Sequence, residues 1–310
     1  MHTIASTIDQ AEDYDLVINK VAGELPSIPA LIDNILKMAA NTEAANFALC
    51  SFISKDQSAF SKILKIANSV EYRQGRTGRI TDISDAVLTI GSENVKRSLM
   101  SISVMDSFLS NSKNIKFQLE GLWLHSCGVA LATHLLSDRY GCEYTDHAYA
   151  SGLLHDLGKV AKIKFMEEEF LREINFTQTN NCTLWFAEKA LGQIHHNLLG
   201  SMIIDKWGIS PIIMQVSKWH HTFSKGAREG VDDPGVHKLI DMVILANHMI
   251  KELRFGNSGS GQLEELPSGF LRRNRIDEEE YLSAREAIRM HIDAESENFA
   301  FLCACAQPPI

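Results

Sequence analysis

Apolar side chains recur at α-helical spacing along almost the whole chain, and this constrains the fold more than any other feature. After Leu25-Pro26-Ser27-Ile28-Pro29, the residues Leu31, Ile32, Ile35, Leu36 and Ala39 form one stripe. Phe47, Leu49, Phe52 and Ile53 form a second, and Phe60, Ile63, Leu64 and Ala67 a third that ends near Asn68 and Ser69. The polar stretch from Tyr72 to Thr81, with Gly75 and Gly78, reads as a loop. The pattern resumes over Ser84 to Ile90, breaks at Gly91 and continues from Val95 to Phe108. A second block starts near Leu119, with helical patterns over roughly 119–140, 146–163, 166–174, 184–204, 211–221 and 236–254. Strict two-residue alternation never persists, and strands do not alternate with helices. These patterns exclude a parallel-sheet fold and predict an all-α, multi-helix bundle.

Gly256 to Gly261 reads GNSGSG, the chemistry of a flexible linker. Beyond it, Asp277 with Glu280 three residues on forms a helix-start box. Tyr281, Ala284, Ile288, Ile292, Phe299 and Leu302 then share one apolar face, which suits a helix packed on the body or one that pairs two copies in a homodimer. The expected organisation is an N-terminal extension (1–20), an N-terminal helical part (20–115), a helical core (116–255), a linker (256–276) and a C-terminal helix and tail (277–310).

Lys and Arg number 30 against 39 Asp and Glu, a formal net charge of −9, which opposes broad binding to a phosphate backbone. The small basic patches at Arg272-Arg273-Asn274-Arg275 and from Arg73 to Arg79 read as solvated loop charges, so nucleic acid is not an expected partner. Cys50, Cys127, Cys142, Cys182, Cys303 and Cys305 form no CxxC pair and read as reduced thiols. The opening MHTIASTIDQAEDYD is not a signal peptide, and no run reaches the roughly 18–20 apolar residues of a membrane span. A cytoplasmic protein without a membrane partner is expected.

Histidines number 12, and histidine is the commonest metal ligand. His125, His155 with Asp156, His196, and the pair His220–His221 fall in or at the ends of separate predicted helices. Bundles build metal sites by converging imidazoles and carboxylates from different helices on one core. Mixed nitrogen and oxygen donors suit one or two divalent ions of Fe, Mn, Ni, Co or Zn, with Mg for the oxygen donors, and the lack of an accompanying cysteine lowers a structural zinc site. A single helical histidine is more often a core or surface residue than a ligand. The run Gly152-Leu153-Leu154-His155-Asp156-Leu157-Gly158-Lys159 is more specific. Its apolar residues bury the preceding turn, Gly158 permits a close backbone approach, and Lys159 is placed to meet a phosphate as a point charge. The plain alternative is a helix C-terminus with an exposed charge pair.

LLHDLGK (Leu153 to Lys159), the upstream LWLHS (Leu122 to Ser126) and the downstream His220–His221 resemble the HD superfamily of metal-dependent phosphohydrolases. More narrowly, the chain resembles the HDOD family, the HD-related output domains of bacterial signalling proteins. That likeness is carried by Leu25-Pro26-Ser27-Ile28-Pro29, by Lys65-Ile66-Ala67-Asn68-Ser69, by Ala86-Val87-Leu88-Thr89-Ile90-Gly91, and by the spacing of Glu188, His196, Gly200 and Trp207. It covers roughly residues 20–250 and implies an N-terminal helical part leading into an HD-type helical core.

The resemblance implies a first metal set of His125, His155 and Asp156, with Asn247 where the superfamily carries a late aspartate. An amide oxygen there brings no negative charge, so this set is weaker than usual. A second set of His196, His220 and His221 would share Asp156, and His195 is expected to be exposed. Thr222-Phe223-Ser224-Lys225-Gly226 lacks the acidic residue and the GYP signature of cyclic-dinucleotide phosphodiesterases, which argues against that reaction. In a catalytic version Asp156 bridges or orients and Lys159 offsets phosphate charge. Two readings follow. One is a regulatory output module that retains a metal and answers a signalling protein or small ligand. The alternative is a metal-dependent phosphohydrolase acting on a nucleotide or other phosphoester.

Overall fold

The computed structural model describes residues 14–21, 23, 27–38, 43–69, 72, 78–109, 116–260 and 262–305. Leu25, Pro26, Ala39, Gly261 and most of the Arg73 to Arg79 patch lie outside the described residues, as do the side chains of Phe299, Leu302, Cys303 and Cys305. Every regular element among the described residues is helical, as the missing two-residue alternation predicts. None of these helices is long and apolar enough to cross a membrane. The chain divides into two compact units, one of Ala30–Asn111 with the residues from Met290 on, the other of Ser112–Arg289 with the residues before Ala30. The second of these units includes residues 256–276 and the first part of the C-terminal helix.

In the first unit, α1 (Ser27–Lys37), α2 (Glu43–Ile53), α3 (Gln57–Ala67), α4 (Ile83–Ile90) and α5 (Ser92–Leu109) follow in order. Their stripes close on one another through Ile32, Leu49, Ile53, Ile63 and Leu99, all fully buried. Asp56 accepts from the backbone N–H groups of Ser58 and Ala59, and Asp82 from those of Ser84 and Asp85. Each cap satisfies donors that a helix start leaves free, worth about 1 kcal/mol. Asn68 explains part of the Ala67-Asn68-Ser69 motif: its amide donates to the carbonyls of Leu64 and Ile80 while its Oδ1 accepts from the Ile80 N–H. One side chain thus ties the end of α3 to the approach of α4.

The second unit holds α6 (Lys116–Arg139), α7 (Thr145–Leu154), α8 (Leu157–Phe165), α9 (Glu167–Asn180), α10 (Leu184–Ala190), α11 (His196–Lys206), α12 (Pro211–Trp219) and α13 (Pro234–Glu252). After these come α14 (Ser268–Arg273) and the start of α15 (Glu278–Cys305). Two expected helices are each divided. The 146–163 pattern breaks at His155–Asp156, which turns both side chains inward, and the 184–204 pattern breaks before His196 at Gly192, where φ is +67°. Apolar periodicity runs through both breaks because the residues on either side are buried in the same core.

Gly158 and Gly256 set two close approaches. A Cβ on Gly158 would lie 1.9 Å from the His196 carbonyl oxygen, so α8 and α11 touch backbone to backbone. Gly256 has φ +72°, and a Cβ there would lie 2.2 Å from the His125 N–H nitrogen. The segment after it is therefore not a free linker. Asn257 N–H donates to the Gly121 carbonyl at 2.7 Å, the Ser258 carbonyl accepts from Lys159 and the Ser260 hydroxyl accepts from the Leu184 N–H.

Asp277 caps α15 through the Glu280 N–H, as the box predicts, and Ala284, Ile288 and Ile292 are buried within this chain. In the Arg272-Arg273-Asn274-Arg275 patch the three arginines are exposed, while Asn274 is buried. Arg273 and Asn274 both donate to the buried carboxylate of Asp241, which Arg228 also holds at 2.6 Å.

Candidate metal centre

The Asp156 carboxylate is the hub of the second unit. His125 reaches it from the middle of α6, between Leu122, Trp123 and Cys127, which bury that stretch of helix. His155 and Asp156 come from the turn between α7 and α8, His196 from the first residue of α11, and His220 and His221 from the residues that follow α12. His155 Nδ1 lies 2.7 Å from the Gly152 carbonyl and His220 Nδ1 lies 2.7 Å from the Ser217 carbonyl. A carbonyl can only accept, so both Nδ1 atoms carry hydrogen and both Nε2 atoms turn to Asp156.

The two carboxylate oxygens serve different histidines. Oδ2 lies 3.1 Å from His155 Nε2 and 3.8 Å from His125 Nε2. Oδ1 lies 3.3 Å from His196 Nε2 and 3.6 Å from His220 Nε2. His196 Nε2 is in turn 3.0 Å from His221 Nε2. Two groups result, His125–His155–Asp156 and His196–His220–His221, each with its ligand atoms within 4.8 Å of one another.

Behind His196 stands a buried ionic network. Its Nδ1 donates to Glu188 at 2.9 Å and its backbone N–H to the same carboxylate at 3.0 Å. Lys162 bonds Glu188 at 2.7 Å and Glu173 at 2.8 Å, and all three side chains are fully buried. Such a carboxylate behind a ligand histidine fixes the ring and its tautomer.

The residues fit a metal. Nε2 of His125, His155 and His220, Oδ1 of Asp156 and Oδ1 of Asn247 are all buried without a hydrogen-bond partner. Buried polar atoms are rarely left so, because each carries a desolvation penalty of about 1–3 kcal/mol. A cation would satisfy these lone pairs together. Asn247 lines the same depression as His220 and His221.

Electrostatics agree. Burial pushes the His125, His220 and His221 imidazoles down, His220 to about 3, with neighbouring histidines adding to the effect and Asp156 opposing it at His125 and His220. Burial alone would raise the Asp156 carboxyl, but the adjacent His155 and the Lys159 ammonium hold it well below the usual range. These three rings are thus kept neutral and the carboxyl ionised, the states that bind metal.

The metal-free protein should lose stability as pH falls. A histidine lowered from 6.5 to about 3 contributes stability that is complete above pH 6.5 and lost as pH falls below it. At pH 5 His220 alone removes about 2 kcal/mol. The urea midpoint in chelator should fall accordingly between pH 7.5 and 5.0, and an unchanged midpoint would contradict neutral burial. Asp156 adds nothing in that window, since its contribution is lost only below its ordinary value of 3.8.

Each of the sequence-derived candidates lies in this region. Lys159, expected to face a phosphate, is instead 1% exposed, with its ammonium on Asp156 Oδ2 at 2.7 Å and on the Ser258 carbonyl at 2.9 Å. His195 falls outside both groups, partly exposed beside the Trp185 ring. Lys162, Glu173 and Lys251 were not found from sequence. Lys251 stands one helical turn after Asn247 and lines the same depression. Burial and then Lys159 pull its ammonium down to about 8, against Asp156 and Glu264. The four-residue spacing from Asn247 was the available signal.

An all-α core with a histidine cluster around the aspartate of an HD pair defines an HD-type helical domain. The chain belongs to the HDOD domain family, whose sequence profile matches residues 25–223. It is a signalling-output domain with two His/Asp-rich clusters of ligand-like geometry. No curated protein matches the chain. Among solved structures it resembles an HDOD domain protein of unknown function from Geobacter sulfurreducens, with 24% identity and TM-score 0.71 over 95% of this chain and 98% of that one. It also resembles a candidate signal transduction protein from Marinobacter aquaeolei VT8, with 15% identity and TM-score 0.68 over 91% of this chain and 59% of that one. A candidate phosphohydrolase from Shewanella amazonensis SB2B gives 17% identity and TM-score 0.64 over 93% and 98%. At these identities the likeness is one of fold.

Proposed function

We propose that this chain is a regulatory output protein whose core holds one or two divalent cations around Asp156 and that works by contact rather than by turnover. The observation that carries this reading is the state of Lys159, whose ammonium is buried and engaged by Asp156 and by the Ser258 carbonyl. Two of its three N–H donors are taken and the side chain is 1% exposed, so it is held on the carboxylate rather than presented to a phosphate as a free point charge. Asn247 adds no charge to offset a cation, which further favours a structural or sensing role over hydrolysis. His125, His155 and one oxygen of Asp156 would hold one ion, and His196, His220 and His221 with the other oxygen a second. Nitrogen-rich sets of this kind suit Fe, Mn, Ni or Zn over Mg. When bound, such an ion supplies Lewis acidity to an oxygen ligand. Glu188 orients His196, and the His196 ring, followed by His195 and Lys162, keeps Glu188 ionised against its burial.

The test is elemental analysis of protein purified without chelator or metal-affinity tag, beside Asp156→Ala. The wild type should carry up to two equivalents, and the variant should lose at least about 100-fold in affinity, beyond the usual effect of removing a supporting residue. Saturation at about 100 Kd should stabilise the wild type by about 2.7 kcal/mol and the variant by no more than about 0.4 kcal/mol. Turnover of bis-p-nitrophenyl phosphate or of a cyclic dinucleotide with Mn, abolished by Asp156→Ala, would make the protein a phosphohydrolase and sink the contact-only reading.

A further inference from the structure

Beyond the matched residues, and separate from the metal ligands, α13, α14, the start of α15 and the strap Gln262–Pro267 enclose a groove of about 840 Å³. Its floor is apolar, built from Leu263, Leu266, Leu271, Ile276 and the Tyr281 ring. The rim is acidic: Glu252, Glu265, Asp277 and Glu278 face Arg272 as the one Lys or Arg in the lining. Glu252 is engaged by the Tyr281 hydroxyl and Asp277 caps α15. Glu265 and Glu278 are exposed, and neither has an ion-pair partner among the described residues.

From this lining we infer that the groove is a docking surface for a basic, amphipathic helical segment of a partner protein. The inference rests on the contact reading above and says where the contact is made. An amphipathic helix presents anchors at i, i+3, i+4 and i+7, about four side chains, and a groove of this volume accepts them. Charge selects the partner. Lysines flanking those anchors would meet Glu265 and Glu278, whereas a second copy of a chain with net charge −9 would bring like charge to an acidic rim.

The groove also shares a wall with the metal centre. His248, Leu263 and Leu266 line both the groove and the depression that contains His220, His221 and Asn247. The occupant therefore packs on residues that close the mouth of the centre.

The probe is the helical leucine–lysine peptide LKKLLKLLKKLLKL, read by fluorescence anisotropy on the full metal-loaded chain, with its leucine–glutamate counterpart as comparison. The lysine peptide should bind more tightly than the glutamate one, weaken as salt rises, and photo-crosslink within residues 263–281. Leu271→Glu should weaken it at least tenfold. The exposed double change Glu265→Lys with Glu278→Lys should do the same, and serves if Leu271→Glu unsettles α14. Equal binding by the rim variant, equal affinity for the glutamate peptide, or crosslinks elsewhere would overturn the proposal. So would self-association of the free protein that Leu271→Glu abolishes, which would assign the face to a second copy. Metal content measured in the same samples separates the two readings: loss of metal with peptide binding intact counts against the metal reading alone.

Discussion

Gly158→Ala should remove more than about 4 kcal/mol of stability and most of the metal-binding capacity with it. The added methyl would sit 1.9 Å from the His196 carbonyl oxygen and 2.8 Å from the Gly200 nitrogen, distances that no Cβ tolerates. Both obstacles are backbone, so no rotamer change relieves them, and α8 must move away from α11 by more than about an ångström. That motion separates Asp156, two residues before Gly158, from His196, whose ring and carbonyl share one residue. With a total stability of about 5–15 kcal/mol, the loss is a large share, and the melting temperature should fall by about 8–16 °C. Gly226→Ala is the control, since nothing lies within 4 Å of its added carbon. A Gly158→Ala protein that melts within a few degrees of wild type and retains its metal would refute the close approach.

Lys162→Met should be nearly as damaging, at about 3–5 kcal/mol, the usual result of removing one partner of a buried ion pair. Here one ammonium serves two carboxylates, Glu173 and Glu188, each fully buried. Methionine fills the space and leaves both acids without their cation. Glu188 cannot escape by protonation without weakening its hold on the His196 ring and N–H. Glu173 has no such duty, and burial already raises its carboxyl. The double variant Lys162→Met with Glu173→Gln should therefore recover at least about 1.5 kcal/mol relative to the single change. Chemical denaturation of the four proteins in the cycle measures this, and strict additivity would show that the two side chains do not act together.

The histidines and Asp156 were legible because their residue types and spacing are unusual for a plain helical core. Lys162 and Lys251 behind them were not. Leu157 to Ile163 are buried on every side, so the amphipathic contrast that normally marks a helix face is absent and Lys162 looks like a surface charge. The break at His155–Asp156 was hidden for a related reason, since the apolar period runs unbroken through a turn whose polar groups face a buried site. GNSGSG misled in the opposite sense. Glycine and serine are the composition of a flexible linker, but they are also what lets backbone lie against His125 and place carbonyls on Lys159 and Thr177. Composition cannot separate these uses, whereas long-range contacts can.

The bond between Lys159 and Asp156 has one more effect. With the imidazoles neutral for metal binding, that ammonium and that carboxylate cancel, and the cluster carries no formal charge of its own. A divalent ion held as proposed would meet a single carboxylate whose charge Lys159 already offsets, and Lys251 stands nearby with a further positive charge when protonated. A core loaded in that way would be an electropositive centre inside an acidic protein, so metal uptake should draw in a small counter-anion, and occupancy should depend on which anions the buffer supplies.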